Sequence, residues 1–385
     1  MRLSDDTLKS IKRLQRIAAE LKLRFAQRDT AVDLITLALA CREHLLLLGP
    51  QGTGRSELVA RFATAVQCEA FQYILTHLTD PTELFGPPDI EQFRQGCYHI
   101  RTEGMLPEAR IAFLDEIFHA GSVVLNTLIA LIQDRVFHNG VEHQTVPLIS
   151  LFAASRRLPD DPTLRAFSDR FILRLTMAPI PDVSLGELLD KGWALELDQR
   201  EPVADDSSLS HEQLDHLYHA LPEVAVDTIS PLYQDLLRHL RAEGIVFSDR
   251  RMVKGLKLVR AAALLGGRDQ AGACDLWPLV HIWNEPEEEA ILREVIQPLV
   301  EEAGGPTLEV HRSLEDLRED LELLASRIPD LRGDGIFTAH LAALSQLRRE
   351  LTLHYPGAIE LLARVEAEVG RVLEAMTPPQ SFSRL

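Results

Sequence analysis

A glycine-rich stretch near position 50 has the residue types and spacing needed to hold phosphate groups. It consists of Gly49, Pro50, Gln51, Gly52, Thr53, Gly54, Arg55 and Ser56. This stretch fits the pattern G-x-x-x-x-G-K-[ST] except at the lysine, where Arg55 stands. Glycines let the backbone turn tightly and aim N–H groups at phosphate oxygens, and the Ser56 hydroxyl can bind Mg²⁺. We therefore predict a phosphate site in which a forked guanidinium replaces the usual ammonium.

Two consecutive acids, Asp115 and Glu116, follow the apolar run IAFL at 111–114. Carboxylates are costly inside a sheet, so an acidic pair at the end of a buried strand indicates a functional or solvated position. In nucleotidases with a phosphate loop, the first acid holds Mg²⁺ through water and the second polarises the attacking water. The loop and the acidic pair occur in the expected order, which predicts ATP and Mg²⁺ as ligands.

The elements around these motifs alternate between strands and helices. The four leucines at 45–48 are typical of a strand buried on both faces. A helix from Glu57 would point its positive end at the phosphates, so Glu57 joins the candidate binding residues. Further strands are predicted at 70–75, 111–115, 148–155 and 171–175, with helices at 4–27, 29–40 and 122–134. This alternation predicts an α/β fold with a parallel sheet between helices.

Two connections above the predicted sheet are candidates for contacts with another protein. The segment 86–104 suggests an insertion or a small hairpin near 95–99. Asn139-Gly140, between β-prone residues, indicates a hairpin over 135–145.

Composition limits the class of protein. The 385 residues are too many for one core, and the apolar and charged shares, 46% and 25%, are those of an ordinary soluble chain. A net charge of −18 makes nucleic-acid binding unlikely. The four cysteines lie far apart and the fourteen histidines show no metal spacing, while no apolar run is long enough to span a bilayer. A cytoplasmic location is the expectation.

Three domains are predicted from breaks in these patterns. Pro179 and Pro181 end the alternation, so the nucleotide-binding core covers 1–178. Residues 179–303 are predicted to form an all-helical lid. Leucines recur at helical spacing on both sides of a turn near 330–335, which predicts a helical hairpin in an extension over 304–385. This extension either packs against the rest of the assembly or docks a partner.

The motif order GPQGTGRS, TDPTELFG, FLDEI, hairpin, FAAS and AFSDRFILRL resembles an AAA+ ATPase of the MoxR branch, closest to the RavA-like subgroup. The resemblance covers about 5–290 and includes the segment SDRR at 248–251. It implies a P-loop core with a helical lid and assembly as a homo-oligomer, expected to be a hexameric ring. It also implies chaperone-like remodelling of a client, together with a partner that carries a von Willebrand factor A domain.

The resemblance also assigns roles to single residues. Asp115 would help to hold Mg²⁺ and Glu116 would activate water. Arg170 matches the arginine finger that reaches the γ-phosphate of a neighbouring subunit, with Arg165 as a weaker candidate. Arg250 matches the lid arginine that senses nucleotide in its own subunit, with Arg251 as the near alternative.

Two residues depart from the family pattern, and both lie where the γ-phosphate is expected. Arg55 replaces the loop lysine, and Arg156 stands where an asparagine normally positions water. An arginine cannot accept a hydrogen bond, so Arg156 would instead supply charge to the γ-phosphate or pair with Asp115 or Glu116.

These departures leave several functions open. The first is an ATPase that remodels a client, and the alternative is a nucleotide-gated scaffold with little or no hydrolysis. A DNA-associated motor shares the fold, but the acidic balance disfavours it.

Overall fold

The computed structural model of the chain describes residues 3–197 and 209–305, and beyond them 317–318, 321–322, 324–325, 340–341, 344–345, 347–348, 351–352 and 358–376. The chain divides into two compact units, Met1–Leu308 and Glu309–Leu385. The phosphate loop and both acids belong to the first unit, so the architecture of that unit positions the predicted site.

The first unit opens with two helices and continues as an alternation of strands and helices. Its α/β part contains α1 (Asp5–Arg24), α2 (Asp29–Cys41), β1 (Leu45–Leu48), α3 (Arg55–Ala65), β2 (Ala70–Ile74), α4 (Pro81–Phe85), α5 (Ile90–Arg94), β3 (Ile111–Asp115), α6 (Ser122–Gln133), β4 (Val136–Asn139), β5 (Glu142–Thr145), β6 (Ser150–Ser155), α7 (Pro162–Ser168) and β7 (Leu173–Thr176). Single 3₁₀ turns at Leu106–Glu108 and Ile117–His119 flank β3.

Five parallel strands form the central sheet in the order β2-β3-β6-β1-β7. All residues of β1, β6 and β7 are buried, as the apolar runs require of strands covered on both faces. In the register Leu48 lies opposite Ser155 and Thr176. The carboxyl ends of β3, β6 and β1 therefore lie side by side, and this edge of the sheet carries the loop and the acids. The predicted α/β fold is confirmed.

The rest of the first unit is helical, as predicted for the lid. Its elements are α8 (Leu185–Leu197), α9 (His211–Ala220), α10 (Ser230–Ala242), α11 (Asp249–Leu265) and α12 (Glu288–Glu302), with 3₁₀ segments at Asp182–Ser184, Leu221–Glu223 and Ala273–His281. The Ser248 side chain caps α11 by accepting a hydrogen bond from the Arg251 N–H at 3.3 Å. Trp283, which follows the last 3₁₀ segment, is buried in the core.

The two connections above the sheet are joined to each other. The 135–145 hairpin is present as β4 and β5. Of the two possibilities for 95–99, a small hairpin or an insertion, the structure shows an insertion, which contains α5 and a single antiparallel bridge between Pro88 and Ile100. The buried Asn139 side chain accepts from the Ile100 N–H at 2.6 Å and donates to its carbonyl at 3.0 Å. Insertion and hairpin thus share a buried hydrogen-bonded joint.

In the second unit, the described residues include one long helix, α13 (Ile359–Met376). Leucines at the predicted helical spacing are buried together with residues of α13: Leu317, Leu321, Leu344, Leu347, Leu351, Leu361, Val365 and Val372. The turn predicted at 330–335 lies outside the described residues.

Candidate functional site

The phosphate loop has a backbone that its glycines make possible. Gly49, Gly52 and Gly54 have φ angles of 137°, 79° and 80°, which disfavour side chains. A Cβ at Gly49 would lie 2.2 Å from the Met177 carbonyl oxygen, so this position also lacks room. Helix α3 begins directly after Gly54. Its amino-terminal N–H groups therefore open towards the loop, as phosphate binding requires.

Arg55 turns inward from the loop. It is 4% exposed, and its Nη1 donates to the carbonyls of Leu47, Gly49 and Ser155 at 3.4, 3.2 and 3.1 Å. Its Nη2 lies 3.6 Å from Asp115 Oδ1. Burial lowers the pKa of Arg55, and the Asp115 and Glu116 charges oppose that shift. In this arrangement Asp115 already compensates the charge that is expected to reach phosphate.

Glu116 lies at the centre of a polar cluster at the same edge. It is 6% exposed and has a left-handed backbone, with φ of 51°. Its Oε1 accepts from Gln51 Nε2 at 2.8 Å and lies 3.4 Å from Arg156 Nε. Arg156 Nη2 donates to Gln51 Oε1 at 3.3 Å, and His119 Nδ1 lies 3.7 Å from Glu116 Oε2. The predicted pairing of Arg156 with a carboxylate is confirmed, and the partner is Glu116.

A cavity of about 1000 Å³ lies beside the loop. Its described lining comes from 50–54, from the end of α1 and the turn after it, and from α8. Basic side chains in this lining are Arg24, Arg28, Arg61 and Lys191, and apolar ones include Phe25, Ile180, Leu188 and Leu195. Arg28 ties the turn to the loop, because its Nε donates to the Thr53 carbonyl at 3.2 Å. The lining also contains the acids Glu57 and Glu196, so basic side chains outnumber acidic ones, and with its apolar walls the cavity suits a nucleotide.

The remaining predicted binding residues lie around this cavity. Pro50 to Gly54 and Glu57 line it, and Glu57 pairs with Arg61 at 2.7 Å. Ser56 is exposed in the first turn of α3, while Asp115 Oδ1 accepts from the Glu116 N–H at 2.9 Å. A hydroxyl and a partly exposed carboxylate fit Mg²⁺ as oxygen ligands. Among the described residues, no cluster of three or more His, Cys, Asp or Glu offers another metal site.

Sequence reasoning missed the contribution of α8 and Arg28. Residues 184–300 were predicted as helical, but no motif marks which lid helix covers the loop. The lone Arg28 likewise has no pattern around it, and its role depends on a turn that begins after α1 ends at Arg24.

Arg170 lies at the opposite edge of the sheet, formed by the amino ends of the strands, whereas the loop and the acids lie at the carboxyl ends. It lies three positions before β7, and the amino end of β7 is the end remote from the loop because Leu173 pairs with Leu45. Its Nε donates to Gln133 Oε1 at 2.8 Å, and its Nη1 donates to the Ala166 carbonyl. The weaker candidate, Arg165, forms an ion pair with Glu285 of the lid. The site residues therefore fall into two groups on opposite sheet edges.

The two lid arginines differ although they are neighbours in sequence. Arg250 is exposed at the start of α11. The pKa of Arg170 is lowered mainly by the burial of Arg170 itself and further by the positive charge of Arg250. Arg250 is thus near Arg170, and the described lining of the cavity includes no residue of α11. Arg251 is 1% exposed, and its Nη1 donates to the carbonyls of Ile282 and Trp283 at 2.6 and 3.1 Å.

Three arginines connect the residues around Arg170 to the lid. Arg251 Nη2 lies 2.7 Å from Asp169 Oδ1, Arg165 pairs with Glu285, and Arg174 donates to the Asn284 carbonyl. Arg174 lies over the Trp283 ring at 5.8 Å, and burial lowers its pKa to about 9. We call these three contacts the lid–finger tether. It attaches the residues on both sides of Arg170 to Arg251, Asn284 and Glu285 of the lid.

Comparisons with known proteins agree with this geometry. A sequence profile described as the MoxR domain in the MoxR-vWA-beta-propeller ternary systems matches residues 12–219, and one described as an AAA lid domain matches residues 226–296. The chain belongs to the MoxR family of AAA+ ATPases. Both matches fall within the first compact unit.

Individual relatives of this MoxR-family chain support the assignment. An uncharacterized protein of Methanocaldococcus jannaschii is 35% identical over 80% of the chain and 82% of its own length. Chaperone MoxR1 of Mycobacterium tuberculosis is 27% identical over 44% of the chain and 45% of its own length. The crystal structure of a putative ATPase from Cytophaga hutchinsonii has the same fold, with a TM-score of 0.61 at 15% identity over 80% of the chain and 98% of that protein.

Within the described ranges of this MoxR-family chain, no helix combines the length and apolar character needed to cross a bilayer.

Proposed function

We propose that this MoxR-family protein hydrolyses ATP in a homo-oligomeric ring, expected to be hexameric, and uses the cycle to remodel a client protein. The match to a MoxR profile and the distant similarity to a chaperone support this activity. The profile's description also supports a partner with a von Willebrand factor A domain. We retain the cytoplasm as the proposed location, and domains at 1–178, 179–303 and 304–385.

One observation carries the proposal. The loop, Asp115 and Glu116 occupy one edge of the sheet, whereas Arg170 lies at the other edge with Arg250 nearby. Arg170 therefore does not lie at the loop of its own chain. A neighbour joined head to tail would supply Arg170, since such an interface apposes two different faces of identical subunits. We extend this role to Arg250, which sequence reasoning had assigned to the nucleotide of its own subunit.

The residues of the site can perform the steps of hydrolysis. The loop and the start of α3 would bind the phosphates, and the cavity beside α8 would hold the nucleoside. Mg²⁺ held at Ser56 and Asp115 would neutralise charge on the phosphate oxygens. Glu116 would take a proton from a water molecule while the oxygen of that water forms a bond to the γ-phosphorus. The bond between the γ-phosphorus and the bridging oxygen would break, and ADP would leave with that oxygen. Arg170 of a neighbour would stabilise the charge on the transferred group.

A second candidate function is favoured by the contacts of Arg55 and Arg156. Both acids are paired with these arginines, so the described arrangement has no unengaged base. A nucleotide-gated scaffold that assembles without turnover would have the same contacts.

Phosphate release from ATP with Mg²⁺, measured across protein concentrations, separates the two functions. We expect turnover to rise more steeply than linearly, because sites form only between subunits. Glu116→Gln should lower turnover by about 10²-fold or more, the contribution typical of a positioned base. Release equal to that of Glu116→Gln, at concentrations where the ring forms, would favour the scaffold.

A further inference from the structure

Arg156 contacts a buried group although it is itself exposed. Its side chain is 67% exposed, whereas that of Glu116 is 7% exposed. Gln51, Glu116 and Arg156 contact one another in a closed triangle with distances of 2.8, 3.4 and 3.3 Å. We call this triangle the Glu116 latch. It joins the phosphate loop, the end of β3 and the end of β6, which are the three segments that meet where a γ-phosphate is expected.

The latch occupies the Glu116 oxygen that faces the phosphate loop. The same oxygen, Oε1, faces both Gln51 and Arg156. A water molecule that needs this oxygen must displace them. Glu116 Oε1 therefore becomes available only when another group takes over these donors.

The triphosphate provides such a group. A guanidinium presents its donors in a fork that matches carboxylates and phosphates, so both anions compete for Arg156. Gln51 belongs to the phosphate loop itself and is in contact with both other members of the latch. An exposed arginine can change partners without disturbing the core.

We propose that the Glu116 latch responds to the γ-phosphate. In the nucleotide-free chain Arg156 pairs with Glu116, and when ATP binds Arg156 exchanges this carboxylate for the γ-phosphate. The inference rests on the proposed function, because it places ATP in the loop. ADP lacks the competing group and leaves the latch closed. Arg156 thus distinguishes tri- from diphosphate and positions the base when substrate is present.

Nucleotide binding to four full-length proteins tests this exchange. These are the unaltered chain, Glu116→Gln, Arg156→Asn and the double variant, each titrated calorimetrically with a non-hydrolysable ATP analogue or ADP in the presence of Mg²⁺. Glu116→Gln removes the competing charge, so it should tighten analogue binding about threefold to tenfold, a coupling typical of contacting groups. In the Arg156→Asn background the same change should have less than about a twofold effect. ADP affinity should not respond to either change.

Each outcome bears on a different proposal. Equal tightening by Glu116→Gln in both backgrounds would mean simple repulsion between carboxylate and γ-phosphate, and would overturn the latch while leaving ATP binding intact. No nucleotide binding by the unaltered chain would overturn the proposed function itself. Thermal unfolding serves as the folding control, and the exposure of Arg156 predicts an unchanged midpoint for Arg156→Asn. Arg156→Lys, which keeps the charge but loses the fork, should give an intermediate coupling.

Discussion

The two edges of the central sheet carry arginines in opposite settings. At the loop edge, Arg55 and Arg156 lie beside Asp115 and Glu116, so positive and negative groups compensate each other. At the other edge, Arg170 donates to the neutral oxygens of Gln133 and Ala166 and has Arg250 as a like-charged neighbour. Burial and the Arg250 charge lower the pKa of Arg170, and the Asp169 carboxylate opposes this shift.

This difference indicates what each edge could contribute to a nucleotide site. The loop edge has donors for phosphates, but Arg55 and Arg156 are already paired with Asp115 and Glu116. The edge with Arg170 carries arginines but no phosphate loop. In the proposed head-to-tail ring the two edges would together form one complete site, so we expect a single chain to be a weak enzyme.

The largest expected effect is that of Arg170→Ala. Because the finger stabilises transition-state charge, we expect turnover at saturating ATP to fall by about 10³-fold or more, with little change in nucleotide binding by isolated subunits. Phosphate release and calorimetric binding measure the two quantities.

Mixing provides the decisive control for this variant. Arg170→Ala keeps an intact loop edge and Glu116→Gln keeps an intact finger edge. Random pairing of equal amounts would restore about a quarter of the interfaces if sites form head to tail. Recovery of activity supports a shared site, and its absence in mixed rings would mean that Arg170 acts within its own chain.

The adjacent pair Arg250 and Arg251 sharpens the comparison. Arg251→Ala leaves the buried carbonyls of Ile282 and Trp283 without a donor and removes the ion pair with Asp169. We expect a loss of about 3 kcal/mol in the free energy of unfolding. Arg250→Ala should change this free energy by less than about 0.5 kcal/mol, as exposed positions do. Chemical denaturation measures both, and equal losses would contradict the assignment of Arg251 to the tether.

At the loop edge, Arg55→Lys should strengthen nucleotide binding. An ammonium cannot span three carbonyls and Asp115 at once, so the phosphates compete with a weaker internal set of contacts. We expect affinity for the ATP analogue to rise about tenfold, equivalent to one hydrogen bond from a charged group. Calorimetry tests this, with thermal unfolding as a check on folding. Weaker binding would show that Arg55 already reaches phosphate as effectively as lysine.

The smallest expected effect concerns the wall of the cavity. Leu188 of α8 lines it, and Leu188→Ala should weaken nucleotide binding about threefold to tenfold through lost apolar contact. Its neighbour Leu189 is 69% exposed and is not among the described lining residues. Leu189→Ala should therefore leave the affinity unchanged. Equal effects of the two substitutions would contradict this placement of the nucleoside.

Local patterns made the core of the fold predictable. The leucines at 45–48 and the apolar run before Asp115 are short and end at a glycine or an acidic pair, which favours a buried strand over a helix. The glycines of the loop can be placed from their conformational freedom. Since carboxyl ends of parallel strands share an edge, the proximity of loop, acids and Arg156 also followed from sequence.

Contacts across the fold were beyond such reasoning. No pattern distinguishes Arg250 from Arg251 before the packing of α11 buries one and exposes the other. The inward turn of Arg55 depends on three carbonyls from different parts of the chain. Likewise, sequence reasoning did not predict the short helix α5, which begins after Asp89 because this side chain caps it by accepting from the N–H groups of Glu91 and Gln92.

The lid–finger tether gives the proposed ring a sense of direction. Asp169, Arg165 and Arg174 attach the finger segment of a subunit to its own lid, and a finger offered head to tail reaches only one of the two neighbours. A lid that rotates with its nucleotide would therefore move the finger at one of its two interfaces and leave the other interface unchanged. Each hydrolysis event would then affect the next site in one direction around the ring, so that subunits would hydrolyse ATP sequentially rather than at random.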